Sequence, residues 1–178
     1  MHLNMLGNHC KAKDAEARHH DALTIVDQML QRVRSMALDL RPSQLDDFGV
    51  YVALRAHCKQ QAEAAGWKMH FDAQDVGERP NPDVELTCFR VVQEGLTNAA
   101  RYAKATEVLV SLQRSGDELQ LRLRDNGIGF DTSAFQEGRP ATSLGLIGMA
   151  ERIRQVGGRL EIKSALQGGT EIYATLPL

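Results

Sequence analysis

The sequence predicts an α+β fold: a two-layer α/β sandwich in which a mixed sheet carries helices on one face, preceded by a helical segment. Three observations predict it. Apolar residues recur at helical spacing up to about residue 65, and from residue 66 onward strand and helix patterns alternate. The second region runs β, α, β, β, α, β, β without a long internal repeat. Glycine-rich turns punctuate its later elements. The expected division is a helical segment at 1–65 and a compact α/β domain at 66–178.

Taken in order, His2 to Gly7 reads as the last turns of a helix that starts upstream. Ala22, Val26, Met29, Val33, Met36 and Leu40 then form a seam spaced by four and three, widened by Leu23, Leu30 and Ala37. So apolar a stripe calls for partner helices. Pro42 ends this helix, because proline disfavours helical geometry in Arg41 before it. Leu45-Asp-Asp-Phe-Gly49 reads as a turn, and Val50 to Ala65 as a second helix closed by Gly66. Trp67 to Phe71 alternates apolar and polar as a half-buried strand does. Asn81 as N-cap and Pro82 at the first helical position open a helix that runs to about Tyr102. Its inner face carries Leu86, Phe89, Val92, Leu96 and Ala99 or Ala100. Val108–Leu112 and Leu119–Leu123 are strands of a hairpin turning at Ser115-Gly116-Asp117. A helix from about Leu144 to Val156 stops at Gly157-Gly158. Leu160–Ile162 and Ile172–Leu176 form a last hairpin across Gly168-Gly169.

Composition excludes several classes of function. Hydrophobic residues make up 43% and charged residues 25%, which is globular composition. The net charge of −2 argues against a partner held by bulk electrostatics, so no nucleic acid is expected. No apolar run approaches the ~20 residues that span a bilayer, and no signal-peptide pattern opens the chain. Cys10, Cys58 and Cys88 are scattered, odd in number and without C-x-x-C spacing, which fits a reducing cytoplasm rather than a disulfide framework or zinc site.

Three clusters carry chemistry. Glu94 and Asn98 stand four apart on one helix face, a carboxylate beside an amide, suited to a hard cation and to a proton acceptor. Arg101 and Lys104 follow at the helix end, where cations meet phosphate oxygens. On its own such a pair is more often a solvated one. The second cluster, Asp125-Asn-Gly127-Ile-Gly129-Phe130, follows a strand directly. Its glycines allow close backbone approach, and Asp125 can accept a hydrogen bond from an exocyclic amine such as that of adenine. A plain glycine turn capped by Asp is the bland account. The third, Leu144-Gly145-Leu146-Ile147-Gly148-Met149, enters a helix whose N-terminal amides suit an anion. The polar loop Asp131 to Ser143 before it is the natural lid. Neither a Walker P-loop nor a Rossmann G-x-G-x-x-G is present.

Together, in this order, the clusters resemble the Bergerat-fold (GHKL) ATPases: histidine kinases, type II topoisomerases, mismatch-repair ATPases and a heat-shock chaperone. Glu94…Asn98 is similar to the N box, Asp125-x-Gly127-x-Gly129 to the first glycine box, and Gly145…Gly148 to the second. Gly169-Thr170 matches the late Gly-Thr whose hydroxyl helps hold adenine. The likeness covers about Trp67 to Leu178. Asp39-Leu-Arg-Pro-Ser-Gln-Leu-Asp-Asp-Phe-Gly49 and Gly145-Leu-Ile-Gly-Met-Ala-Glu-Arg152 further resemble sensor histidine kinases of the nitrate-sensor type. That resemblance implies ATP and Mg²⁺ as cofactors and Asn98 as the metal ligand. It makes Glu94 the general base and Asp125 the reader of the adenine amine. Lys104, with the glycine-turn amides, steadies phosphates. The implied partners are a response-regulator receiver domain and the protein's own dimerisation helices in a homodimer. The whole protein would be anchored in the inner membrane, with this part in the cytoplasm.

Two residues depart from the family pattern: Tyr102, where members commonly have His, and Ser143, where they have Gly. The phosphoacceptor departs further. His20-Asp21 resembles the acceptor dipeptide, yet it stands on the helix that leads into Arg41-Pro42, which is the second dimerisation helix. His19 faces the seam and His20 lies beside it, so a solvated helix histidine is the better account. His9-Cys10 and His57-Cys58 lack a completing set of metal ligands. The expectation is a catalytic fragment that binds ATP, cannot phosphorylate itself, and follows an acceptor histidine lying upstream. An alternative stays open: a degenerate nucleotide-binding module that regulates a partner through ATP-dependent conformation. A serine kinase of the anti-sigma-factor type is disfavoured by the Asp39–Gly49 stretch.

Overall fold

The computed structural model describes residues 43–73, 79–132 and 144–178. The seam of residues 22–40, His9, Cys10, His19, His20 and most of the loop after Asp131, Ser143 included, lie outside the described residues. The elements are α1 (Ser43–Ala65), β1 (Lys68–Ala73), α2 (Pro82–Asn98) continued by a π-helical turn (Ala99–Ala103), β2 (Glu107–Ser115), β3 (Glu118–Asp125), α3 (Leu144–Gln155), β4 (Arg159–Ala165) and β5 (Gly169–Pro177).

The five strands form one mixed sheet in the order β1-β2-β3-β5-β4. β1 and β2 are parallel because α2 carries the chain across between them, whereas every other pair is antiparallel. Strand alternation sorts the side chains. Val108, Val110 and Leu112 on β2 and Leu119, Leu121 and Leu123 on β3 are all buried on the helix side. They pack with Val91, Val92 and Leu96 of α2 and Met149 and Ile153 of α3 in one core. Each such leucine stabilises the fold by roughly 1.5–3 kcal/mol relative to leaving it in water. The opposite face is solvated and carries the ion pairs Arg122–Glu171 and Lys163–Glu161.

α1 belongs to the same compact unit, Pro42–Leu178, and buries Leu45, Leu54 and Cys58 in the core. Its start differs from the turn that the Leu45–Gly49 stretch predicts. Ser43 to Phe48 is helical, and only Gly49, at φ 76°, leaves helical geometry. The break is capped from both sides by a distant ion pair. Arg79 donates to the carbonyls of Leu45 and Asp46, which the interrupted helix would otherwise leave without partners. Glu85, 1% exposed, accepts the Val50 amide at 3.1 Å, the first beyond the break. Arg79 Nε lies 3.0 Å from both Glu85 oxygens. A buried carboxylate thus acts as an N-cap supplied from α2, 35 residues away in sequence.

Cys58 and Cys88 are free thiols. Burial pushes both up to about 12, so they are inert packing residues. Among the described residues, no helix is long and apolar enough to cross a membrane.

Candidate functional site

The N-cap that the sequence predicts is present: the Asn81 side chain accepts from the Asp83 amide at 2.9 Å, with Pro82 opening the helix. From there α2 carries its inward residues along one face and presents Glu94 and Asn98 at its far end. Asn98 Nδ2 donates to Glu94 Oε1 at 3.2 Å. That bond commits the amide nitrogen and leaves Oδ1 of Asn98 and Oε2 of Glu94 as oxygen acceptors. A hard cation takes oxygen ligands of this kind, and Mg²⁺ keeps waters and phosphate oxygens in its remaining positions. Among the described residues no group of three or more His, Cys, Asp or Glu could hold a metal by itself. The donor set fits a Mg²⁺ that arrives with a phosphate ligand.

The second glycine stretch is packed directly on this pair. A Cβ at Gly145 would lie 2.0 Å from Glu94 Oε1, so α3 starts against the carboxylate only because residue 145 has no side chain. Leu146 is buried in the core at 6% exposure. Gly148, one turn on, faces the guanidinium of Arg152, 3.5 Å from where a Cβ would stand. α3 begins at Leu144, so the amides of Gly145 and Leu146 lie in its first turn, where helices attract anions, while Gly148 stands a full turn in.

Beyond Asn98 the helix widens into the π-turn Ala99–Ala103 and ends at Lys104, which adopts the left-handed conformation at φ 53°. Such turns concentrate at functional sites. Arg101 and Lys104 stand exposed there, and Tyr102 is 61% exposed. The turn also delivers the Ala103 carbonyl to the first glycine stretch, where it accepts from the Ile128 amide at 2.8 Å. Gly127 packs so closely on that carbonyl that a Cβ would lie 2.3 Å from it, and Gly129 is held at φ 60° against Ala165. Asn126 staples the same stretch to β2: its Oδ1 accepts the Thr106 and Glu107 amides at 2.9 and 3.0 Å.

Asp125 ends β3 on the helix side at 4% exposure and pairs in register with Thr170 of β5. Its Oδ1 accepts the Gly127 amide at 2.8 Å. Burial pushes its carboxyl above the ordinary value, while hydrogen bonds from the Gly127 amide and from the Thr170 amide and hydroxyl pull it back part of the way. A carboxylate with these partners keeps lone pairs that can accept from a further donor such as an amine.

One residue of this cluster is missed by the sequence reading. Ser164, on β4, is the register partner of Thr170, and its Oγ lies 3.1 Å from Thr170 Oγ1. The signal was the inward strand position two residues beyond Ile162, visible only once the β4–β5 register is known. His57, by contrast, packs on Phe89 at 5.3 Å between ring centroids, and burial lowers its pKa. It is half-buried beside Cys58, which belongs to the core.

Comparison with known proteins agrees with this geometry. Residues 83–178 match the family described as histidine kinase-, DNA gyrase B-, and HSP90-like ATPase. The signal transduction histidine-protein kinase/phosphatase DegS of Brevibacillus brevis is 35% identical over 158 residues, 89% of this chain and 40% of that protein. The chain therefore spans less than half the length of that relative. Among solved structures, the blue-light activated histidine kinase of Erythrobacter litoralis EL346 superposes with a TM-score of 0.66 at 19% identity, covering 87% of this chain and 50% of that one. The Acinetobacter baumannii histidine kinase AdeS gives 0.56 at 15% identity, covering 97% and 88%. At these identities the two structures speak for the fold.

Proposed function

Because this chain belongs to the histidine kinase-, DNA gyrase B- and HSP90-like ATPase family, we propose that residues 66–178 are the ATP-binding catalytic domain of a two-component sensor histidine kinase of the nitrate-sensor type. In this reading residues 1–65 are the remainder of the dimerisation domain of a homodimer whose membrane anchor lies outside the chain. The observation that carries it is the packing of Gly145 on Glu94, which sets a helix N-terminus beside a carboxylate–amide pair. The likeness of Asp39–Gly49 and Gly145–Arg152 to nitrate-sensor-type kinases supports the branch.

The residues divide the work along the pocket. Asp125 accepts from the exocyclic amine of adenine, with Thr170 beside it. Arg101, Lys104 and the amides of Gly129, Gly145 and Leu146 hold phosphate oxygens, and the missing side chains of Gly127 and Gly148 leave room for them. Asn98 would ligate Mg²⁺, which when bound neutralises charge on the phosphates. Glu94 accepts the imidazole proton of the acceptor histidine as its nitrogen bonds to the γ-phosphorus. The bond from that phosphorus to the β–γ bridging oxygen breaks, and ADP leaves. The acceptor histidine stands on a helix outside this chain and passes the phosphoryl group to an aspartate of a receiver domain.

The test supplies γ-labelled ATP and Mg²⁺ to this chain with a separate protein carrying the acceptor helix. Label should appear on the acceptor protein and be lost with Glu94→Gln, while this chain alone stays unlabelled. A chain that binds ATP but never labels the acceptor protein would instead be a regulatory nucleotide-binding module.

A further inference from the structure

We propose that Ser164 is a positioning residue for base recognition: it aligns Thr170 against Asp125 and so selects a purine with an amino group over one with an oxo group. The inference rests on the reading of Asp125 as the residue that meets the base.

Three inward side chains stand side by side across adjacent strands. Asp125 on β3 is in register with Thr170 on β5, and Thr170 is in register with Ser164 on β4. Ser164 is the hub of this row. Its hydroxyl donates to the Gly169 carbonyl at 2.8 Å and accepts the Phe130 amide at 2.9 Å. The Thr170 hydroxyl lies 3.1 Å away. Phe130 directly follows the first glycine stretch, and Gly169 directly precedes Thr170. A single hydroxyl therefore joins the turn after Asp125 to the strand that faces it.

Two hydrogen bonds give Ser164 its effect. Its proton goes to the Gly169 carbonyl and one of its lone pairs takes the Phe130 amide. One oxygen therefore holds both the turn that follows Asp125 and the residue that precedes Thr170, which keeps Thr170 at its register position beside Asp125. Hydrogen bonds from the Thr170 amide and hydroxyl help to hold that carboxylate ionised. Removing the Ser164 hydroxyl takes this shared partner from the Phe130 amide and the Gly169 carbonyl and loosens Thr170 from Asp125. An ionised, correctly turned carboxylate accepts from an amine and repels an oxo group. Burial at Asp125 makes that discrimination stronger than it is in water.

The experiment measures the dissociation constants of ATP and inosine triphosphate, each with Mg²⁺, for the parent chain, Ser164→Ala and Ser164→Thr. The parent should prefer ATP. Ser164→Ala should weaken ATP by about five- to tenfold, the size of one neutral hydrogen bond, and inosine triphosphate by less than about twofold. The preference then shrinks by nearly the whole loss, and Ser164→Thr, which keeps the hydroxyl, restores it. Ser164→Cys, a weak donor of similar bulk, should give the same narrowing and serves if Ser164→Ala melts before binding is read. Equal weakening of both nucleotides, or an unchanged ratio, would overturn the role of Ser164 while leaving the pocket intact. A parent chain that binds both nucleotides equally would remove the reading of Asp125 on which the role depends.

Discussion

The carboxylate of Glu94 rests on the backbone of Gly145, with 2.0 Å between Oε1 and the point where a Cβ would stand. Two elements some fifty residues apart meet there with no room for a methyl group. Gly145→Ala must therefore push the carboxylate aside or lift the start of α3. The expected outcome is a fall in phosphoryl transfer of at least about tenfold, since displacements near 1 Å at a reacting group have effects of that order or larger. Nucleotide affinity should change less. Transfer rate and affinity measured separately check the split.

Asp125→Asn should separate binding from stability. The variant loses a buried, ionised acceptor, and hydrogen bonds to charged groups are worth about 1.5–3 kcal/mol, so ATP affinity should fall by at least about tenfold. Stability should move the other way or stay level. The folded-state pKa of Asp125 is raised above its ordinary 3.8, chiefly by burial. Its protonated form is thus favoured by folding, and the associated stability is present at pH below 3.8 and lost as pH rises through the raised value. At neutral pH the ionised group is a burden that Asn removes. Thermal melts of both proteins without nucleotide test this, and a large drop for the variant would contradict it.

The same shift gives binding a pH signature. ATP recognition through an ionised Asp125 should weaken on acidification at a pH above the usual aspartate range. Asp125→Asn should show weak binding with no such inflection. Affinity measured stepwise from neutral pH downward in both proteins reads the difference.

Glu85 caps the helix break at Gly49 and pairs with Arg79 while 1% exposed. Glu85→Ala strips the cap from Val50 and removes one partner of Arg79, which is half exposed and keeps water and Asp46 near it. Loss of a helix cap costs about 1–2 kcal/mol, which for a protein of this size lowers the melting temperature by roughly 2–8 °C. A variant that melts with the parent would show that the cap is dispensable.

Most of the sheet was legible in the sequence because each strand buries a single face. Leu119, Leu121 and Leu123 alternate with Gln120 and Arg122, and Val110 and Leu112 flank Ser111, so one face of each strand is apolar and buried. The helix at Pro82 was legible because Asn81 and Pro82 carry its start locally. The site was partly legible: Glu94 and Asn98 share a face by helix geometry alone, and their bond in the structure follows from that spacing. The Leu45–Gly49 stretch misled because its acidic pair and glycine look like a turn, while Arg79 and Glu85, thirty-odd residues away, satisfy the helix ends on both sides of Gly49. Ser164 stayed hidden for a related reason. A lone serine in a strand says nothing until the hairpin register sets it beside Thr170. Contacts between distant elements are what local pattern cannot carry.

The central claim, a nucleotide pocket closed at one end by Asp125 and at the other by Glu94 and Asn98, is tested most directly by calorimetric titration with a non-hydrolysable ATP analogue. The parent chain and Asp125→Asn are each titrated with and without Mg²⁺. The account predicts saturable binding by the parent, tightened by Mg²⁺ and reduced at least about tenfold in the variant. No heat of binding from the parent, or equal binding by both proteins, would contradict it.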